Sequence, residues 1–280
     1  MHIPTITSDW KILFKPEKYG KYVNDHTVVK LKDGYRLIGI TGFDGLPCNE
    51  RYFVNAYGTN LNTPFTEDCK SVDTGTLAWA PCVIEKDHVY YMFYGPSPTK
   101  LAVSVDLKEW MGYEIRLNGN PIFAVHRDHF VLKTGETYLM YAVGLYNGRG
   151  CVSVMSSENL TDWEWCGYAL TSGEDAPLKP AWGAFESPFV VKRDDGYYLF
   201  VTYTDSDNET YNNTLVFYST DAKNFGVYNG GKGGTEPIAR LKCHAPEIVE
   251  DGGKYYITTC GWPTRDTPNK GCVSVAELDF

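Results

Sequence analysis

The chain has 280 residues, a formal net charge of −9 and a sequence pI near 5.2, and 15% of its residues are aromatic. That acidity argues against nucleic acid or an anionic membrane as a partner, because both call for a basic face. No run approaches the ~18 continuous apolar residues of a membrane span, and Met1-His2-Ile3-Pro4-Thr5 shows no basic segment leading into an apolar core, so a cytoplasmic location is expected unless a leader has been removed.

In chain order, Trp10–Phe14 is a candidate strand for closing a ring, and from about residue 22 one phrase recurs five times. The phrase is a short opening, an apolar strand, a turn rich in Lys, Asp and Gly, and an aromatic strand. The first unit opens on Asn24-Asp25-His26, runs through Thr27–Leu31, turns at Lys32-Asp33-Gly34 and returns along Tyr35–Gly42. The second opens on Trp79-Ala80-Pro81, with strands at Cys82–Ile84 and Val89–Tyr94. The third opens on Arg127-Asp128-His129, with Phe130–Leu132 and Thr137–Val143. Glu186-Ser187-Pro188 leads into Phe189–Val191 and Tyr197–Tyr203, and His244-Ala245-Pro246 leads into Ile248–Val249 and Lys254–Cys260. Gly and Asp suit the connecting hairpins because they tolerate positive φ.

Third strands follow at Leu101–Val105, Cys151–Met155, Thr214–Tyr218 and Cys272–Leu278. Three of the outer strands run into one pattern: Ser104-x-Asp106-Leu107-x-x-Trp110, Ser157-x-Asn159-Leu160-x-x-Trp163 and Ser219-x-Asp221-Ala222-x-x-Phe225. Its Ser and Asp or Asn can close side-chain-to-backbone turns, and its aromatic can pack between units. Thr204–Asn213, Gly226–Glu236 and Gly261–Gly271 read as loops. The eight cysteines lack zinc spacing, and those in apolar runs read as reduced core residues. A period of about 48 to 59 residues built from strands alone predicts an all-β fold, a five-bladed β-propeller, with residues 1–280 as a single domain.

In a propeller the first strand of each blade lines the central channel, so the openings should converge on one axis. Aligned, they give one row of Asn24, Trp79, Arg127, Glu186 and His244, and a second of Asp25, Ala80, Asp128, Ser187 and Ala245. Three carboxylates, Asp25, Asp128 and Glu186, thereby share a funnel. Crowding and burial raise a carboxyl pKa, so one group tends to keep its proton near neutrality. A proton-donating acid beside an ionised partner is the arrangement that cleaves a glycosidic bond. Arg127 can hold a carboxylate ionised or bind sugar hydroxyls.

These openings resemble those of the five-bladed glycosidases of glycoside hydrolase families 43 and 32, which include arabinanases, xylosidases and β-fructosidases. The likeness rests on Val23-Asn24-Asp25, His126-Arg127-Asp128 and Phe185-Glu186-Ser187-Pro188, together with Trp79-Ala80-Pro81 and His244-Ala245-Pro246-Glu247. It implies that Glu186 is the general acid and that Asp25 is the general base of an inverting enzyme or the nucleophile of a retaining one. Asp128 would orient the sugar and tune the acid. His26 and His129 depart from the pattern, since Pro usually follows both Asp residues in these families.

The resemblance implies no required cofactor. Calcium in the central channel is the one ion to consider, because His244 matches an ion-coordinating His of some arabinanases. Asn24, His26, Trp79, Arg127, His129, His244 and Trp262 are the candidate sugar-binding residues, with imidazoles for hydroxyl groups and indoles for stacking. Two further readings stand beside hydrolysis: a sugar-binding propeller without turnover, and a glycoside phosphorylase.

Overall fold

The structure is a computed structural model describing residues 1–119, 126–176, 185–204, 212–261 and 271–280. Five sheets form a five-bladed β-propeller, and no α-helix occurs among the described residues. Blade 1 is built from Asn24–Lys30, Tyr35–Thr41, Tyr52–Gly58 and Val72–Asp73, and blade 2 from Trp79–Lys86, Val89–Gly95, Lys100–Ser104 and Met111–Tyr113. Blade 3 carries His126–Thr134, Thr137–Tyr146, Arg149–Ser157 and Asp162–Ser172, and blade 4 carries Phe185–Arg193, Gly196–Tyr203, Thr214–Ser219 and Ala239–Leu241. Within each of these four blades successive strands are antiparallel neighbours, and the first two are joined by short turns, as the Asp-Gly and Lys-Asp punctuation predicts.

Blade 5 combines both ends of the chain. Ile248–Asp251, Lys254–Thr259 and Val273–Asp279 come from the C-terminal unit, and the last of these pairs with Thr5–Ile6 and Lys11–Phe14. The closing strand expected at Trp10–Phe14 therefore exists. It places Leu13 and Phe14, both at most 1% exposed, in an apolar cluster with Val23, Val273 and Val275.

The core lies between blades rather than inside one. Aromatic contacts bridge successive blades: Phe53 to Tyr94 at 5.5 Å, Phe93 to Trp163 at 5.6 Å, Phe130 to Phe189 at 4.2 Å and Phe200 to Phe280 at 6.1 Å between centroids. The repeated outer pattern works as expected. Ser104 Oγ accepts the Leu107 N–H and Ser157 Oγ accepts the Leu160 N–H, each at 2.9 Å, which supports the positive φ of both leucines. The following Trp163 is fully buried and donates its indole N–H to the Leu160 carbonyl at 3.1 Å.

Two boundaries differ from the sequence reading. In four blades the opening is already strand, since pairing begins at Asn24, Trp79, His126 and Phe185. Gly226–Tyr228, read as loop, adds as a parallel edge strand to Asp162–Ser172 of blade 3. A free sheet edge satisfies the backbone there in spite of the glycine.

One device recurs where the function is expected. The first strand carries one extra residue against its partner between Asn24 and His26, Trp79 and Cys82, Arg127 and Phe130, and Glu186 and Phe189. Such a bulge locally bends the strand and re-aims a side chain. Ala80, Asp128, Ser187 and Ala245 all adopt φ between +44° and +56°, so four blades present this residue in one conformation.

Candidate active site

The bulged residues and their successors line a funnel on the axis. Its wall takes residues from all five blades: Asp25 and His26, Ala80 and Pro81, Asp128 and His129, Ser187 and Pro188, and Ala245 through Glu247. The two aspartates are thus brought together as expected. Glu186 and Arg127 are not part of that wall, so the expected third carboxylate does not line the funnel itself. Glu186 is tied to the aspartates through Arg127, whose Nη2 donates to Glu186 Oε1 at 3.1 Å while its Nε stands 3.5 Å from Asp128 Oδ2. Arg127, Asp128 and Glu186 are all less than 9% exposed.

Ser187 completes the connection. Its backbone N–H donates to Asp128 Oδ2 at 3.1 Å and its hydroxyl donates to Asp25 Oδ1 at 3.0 Å. A continuous polar network therefore runs from Glu186 through Arg127 and Asp128 to Ser187 and Asp25, spanning blades 4, 3 and 1. Charges this buried persist only when paired and hydrogen-bonded.

Burial, followed by the charge of Asp128, pushes the Asp25 carboxyl up to about 7, against the pull of the Ser187 hydroxyl and Arg127. Burial also raises Glu186, with Arg127 opposing and the two aspartates adding to the rise. Burial therefore favours protons on Asp25 and Glu186, as general-acid chemistry requires.

The histidines take a different role from that of titrating groups. Burial lowers His26 to about 3 and His126 to about 4, and holds His129 well below its ordinary value. These three imidazoles are neutral hydrogen-bonding groups. His26 Nε2 lies 2.7 Å from Thr258 Oγ1 of blade 5, and His129 Nε2 lies 2.9 Å from Thr99 Oγ1 of blade 2, so each ring also pins two blades together. The Nδ1 atoms of both rings are buried with no protein partner.

The remaining candidates divide. Asn24 is 4% exposed in the first row. Trp79 packs against the cluster between blades 1 and 2 and donates its indole N–H to the Pro47 carbonyl at 3.3 Å, so it stands outside the funnel wall. Trp262 lies outside the described residues. His244 is 1% exposed, with Nδ1 3.2 Å from the Cys260 carbonyl and Nε2 3.9 Å from Asp25 Oδ1. One ligand atom each of Asp25, His244 and Cys260 fall within 4.8 Å of one another. Calcium takes six to eight oxygen ligands, whereas this cluster supplies one carboxylate beside an imidazole and a thiol. These side chains do not make a calcium cage, and no step below passes through an ion.

Three features escaped the sequence reading: the Ser187 hydroxyl, Glu247, and a buried pair of Glu50 and Tyr22. Glu247 lines the funnel, accepts the Val28 N–H at 3.3 Å, and is pushed up to about 8 by burial. Its signal was a carboxylate in the fourth row, where other blades carry Thr27, Cys82, Phe130 and Phe189. Glu50 had no such signal, since it lies outside the repeat.

The five-bladed propeller fold is shared with solved glycoside hydrolases of families 32 and 43. The solved structures that resemble this chain include three of that kind. The GH32 β-fructofuranosidase of Bombyx mori superposes with a TM-score of 0.66 at 14% identity, covering 96% of this chain, which spans 62% of that enzyme's length. A GH43 β-xylosidase/α-arabinofuranosidase from a compost metagenome, in complex with xylotriose and calcium-free, gives 0.67 at 17% identity over 99% of this chain and 96% of the other. The α-L-arabinanase of Cellvibrio cellulosa complexed with arabinohexaose gives 0.64 at 13% identity over 93% of each. No protein-family model matches the chain, and no curated protein matches it by sequence.

Proposed function

We propose that the chain is a glycoside hydrolase acting on an oligosaccharide or glycoside without a cofactor. One observation carries this reading: carboxylates from blades 1, 3 and 4 meet in one network, Glu186 and Asp128 through buried Arg127 and Asp128 and Asp25 through part-buried Ser187. Glu186, raised by burial, is the acid that protonates the leaving oxygen. Asp25, ionised, attacks the anomeric carbon or activates a water. Asp128 serves as a positioning group. It holds Ser187 and Arg127 in place and adds the negative charge that keeps Asp25 and Glu186 raised. The neutral imidazoles of His26 and His129 in the wall suit sugar hydroxyls, which both donate and accept.

The solved neighbours carry xylotriose and arabinohexaose, which makes short pentose oligosaccharides the first substrates to try. The test is a panel of aryl glycosides and pentose or fructan oligosaccharides, with product anomers followed by NMR and parallel reactions with and without phosphate. Asp25→Asn and Glu186→Gln should each lower turnover at least ~100-fold while the proteins still unfold in a single cooperative transition, with Glu186→Gln the less stable of the two because it removes a partner of buried Arg127. Full activity in either variant would remove that residue from its role. A sugar-binding propeller without turnover is the second reading. It is favoured by the Asp-His pairs at Asp25 and Asp128, and calorimetric sugar binding in the absence of any hydrolysis would establish it.

A further inference from the structure

Ser187 occupies a row in which the scaffold makes no demand for a hydroxyl. Its counterparts are Asp25, Ala80, Asp128 and Ala245, and Ala80 and Ala245 hold the same backbone conformation, with φ of 46° and 44° against 48° for Ser187. Alanine is therefore compatible with this bulge at two other places in the same ring. A side-chain oxygen at residue 187 is something the fold can do without.

The oxygen is nevertheless committed. It donates to Asp25 Oδ1 at 3.0 Å, reaching from blade 4 to blade 1, while the N–H of the same residue donates to Asp128 Oδ2 at 3.1 Å. The counterpart N–H at Ala245 also reaches back to the preceding blade, at 2.9 Å from Thr202 Oγ1. A backbone bond to the preceding blade thus occurs in blade 5 as well, without any side-chain oxygen, and the hydroxyl bond to Asp25 is an addition to it. Ser187 also directly follows Glu186, so one dipeptide carries the proposed acid and the donor that grips its partner.

We propose that Ser187 is a positioning residue for hydrolysis: by occupying Asp25 Oδ1 it fixes the carboxylate plane and leaves Oδ2 as the atom that attacks or takes the proton. This rests on the hydrolase reading above. A hydroxyl donor favours the ionised carboxylate, the form that the nucleophile or base must have. A carboxylate without it can turn about its Cβ–Cγ bond, and small misplacements of a reacting group are costly.

The test is steady-state kinetics of Ser187→Ala on whichever glycoside the wild type turns over. Loss of one hydrogen bond to a charged group should lower kcat by about 10- to 100-fold, with KM within about threefold of the wild type and an unchanged unfolding temperature. Added to Asp25→Asn, the same substitution should have no further effect, because its target carboxylate is gone. An unchanged kcat in Ser187→Ala would show the hydroxyl to be inert. A raised KM at constant kcat would make it a substrate contact instead, and an equal loss in the Asp25→Asn background would mean that it does not act through Asp25. Any of these overturns the proposal while the hydrolase reading stands. A wild type with no turnover on the panel removes both.

Discussion

Glu50→Gln separates a protonated buried acid from an ionised one. Glu50 is 1% exposed and accepts the Tyr22 hydroxyl at 2.7 Å. Burial pushes its carboxyl up to about 9, against the Tyr22 hydrogen bond, with the charges of Asp25 and Asp44 adding to the rise. An unfolded glutamate titrates near ~4.3. A raised folded pKa means that the stability contributed by the protonated group is fully present below ~4.3 and is lost as pH climbs toward 9. Each pH unit inside that window costs about 1.4 kcal/mol. Gln is neutral at every pH and its carbonyl oxygen can accept the same Tyr22 bond. Whatever the fixed cost of fitting it, the unfolding free energy of the variant minus that of the wild type should rise by about 3 kcal/mol from pH 6 to pH 8. That corresponds to a relative gain on the order of 6 °C in Tm. Urea denaturation of both proteins at pH 6, 7 and 8 measures it. Parallel curves, with a constant gap, would show that Glu50 is ionised in the native protein and that the assignment is wrong.

Other expectations follow from the same structure. The pH profile of kcat/KM should have an ascending limb centred near the Asp25 carboxyl, which is pushed up to about 7; a profile already flat at pH 5 would refute the raised Asp25. Phe14→Ala should cost about 3–5 kcal/mol in urea denaturation, because Phe14 is 1% exposed in the strand that joins the two ends of the ring. A loss below ~1 kcal/mol would mean that the N-terminal strand is dispensable for closure. Glu247→Gln should leave the protein at least as stable as the wild type at pH 7, since its carboxyl is pushed up to about 8 and native Glu247 holds its proton there; thermal unfolding at pH 7 checks it, and marked destabilisation would count against the protonated form.

The legible part of this protein was the part written by repetition. Five openings recurring every 48 to 59 residues set the number of blades, and their alignment puts Asp25, Asp128 and Glu186 near one axis. The Ser-x-Asp-Leu turns were readable because a side chain capping its own backbone is a local matter. The edge strand Gly226–Tyr228 was not, because its partner is a neighbouring blade and its one glycine, in a Gly-rich stretch, speaks only for a turn. Glu50 was hidden for a related reason: a carboxylate in a loop next to Asn49 reads as solvated, and only the fold brings Tyr22 to it. Trp79 failed in the opposite direction. Its place in the first row is right, but its indole is taken up between blades and by the Pro47 carbonyl.

The bulge accounts for the difference between what two rows imply and what a regular strand could deliver. In a regular strand successive side chains alternate faces, so Asp128 and His129, or Asp25 and His26, could not both line one funnel. One extra residue at the start of the first strand breaks the alternation, and both members of each pair reach the wall. Blade 2 uses the same bulge with Ala80-Pro81 and blade 5 uses the same conformation at Ala245, which shows that the geometry is stable without any chemistry. The site is thus a set of substitutions on a device that the ring already possesses. That argument predicts an asymmetry open to measurement. Removing functional side chains at residues 25 and 187 should spare stability, whereas a β-branched residue such as Val at Ala80, where φ is 46°, should destabilise the fold by about 1–3 kcal/mol without touching a single carboxylate. If Ala80→Val unfolds at the wild-type urea concentration while Ser187→Ala does not, the bulge is not the element that sets the funnel.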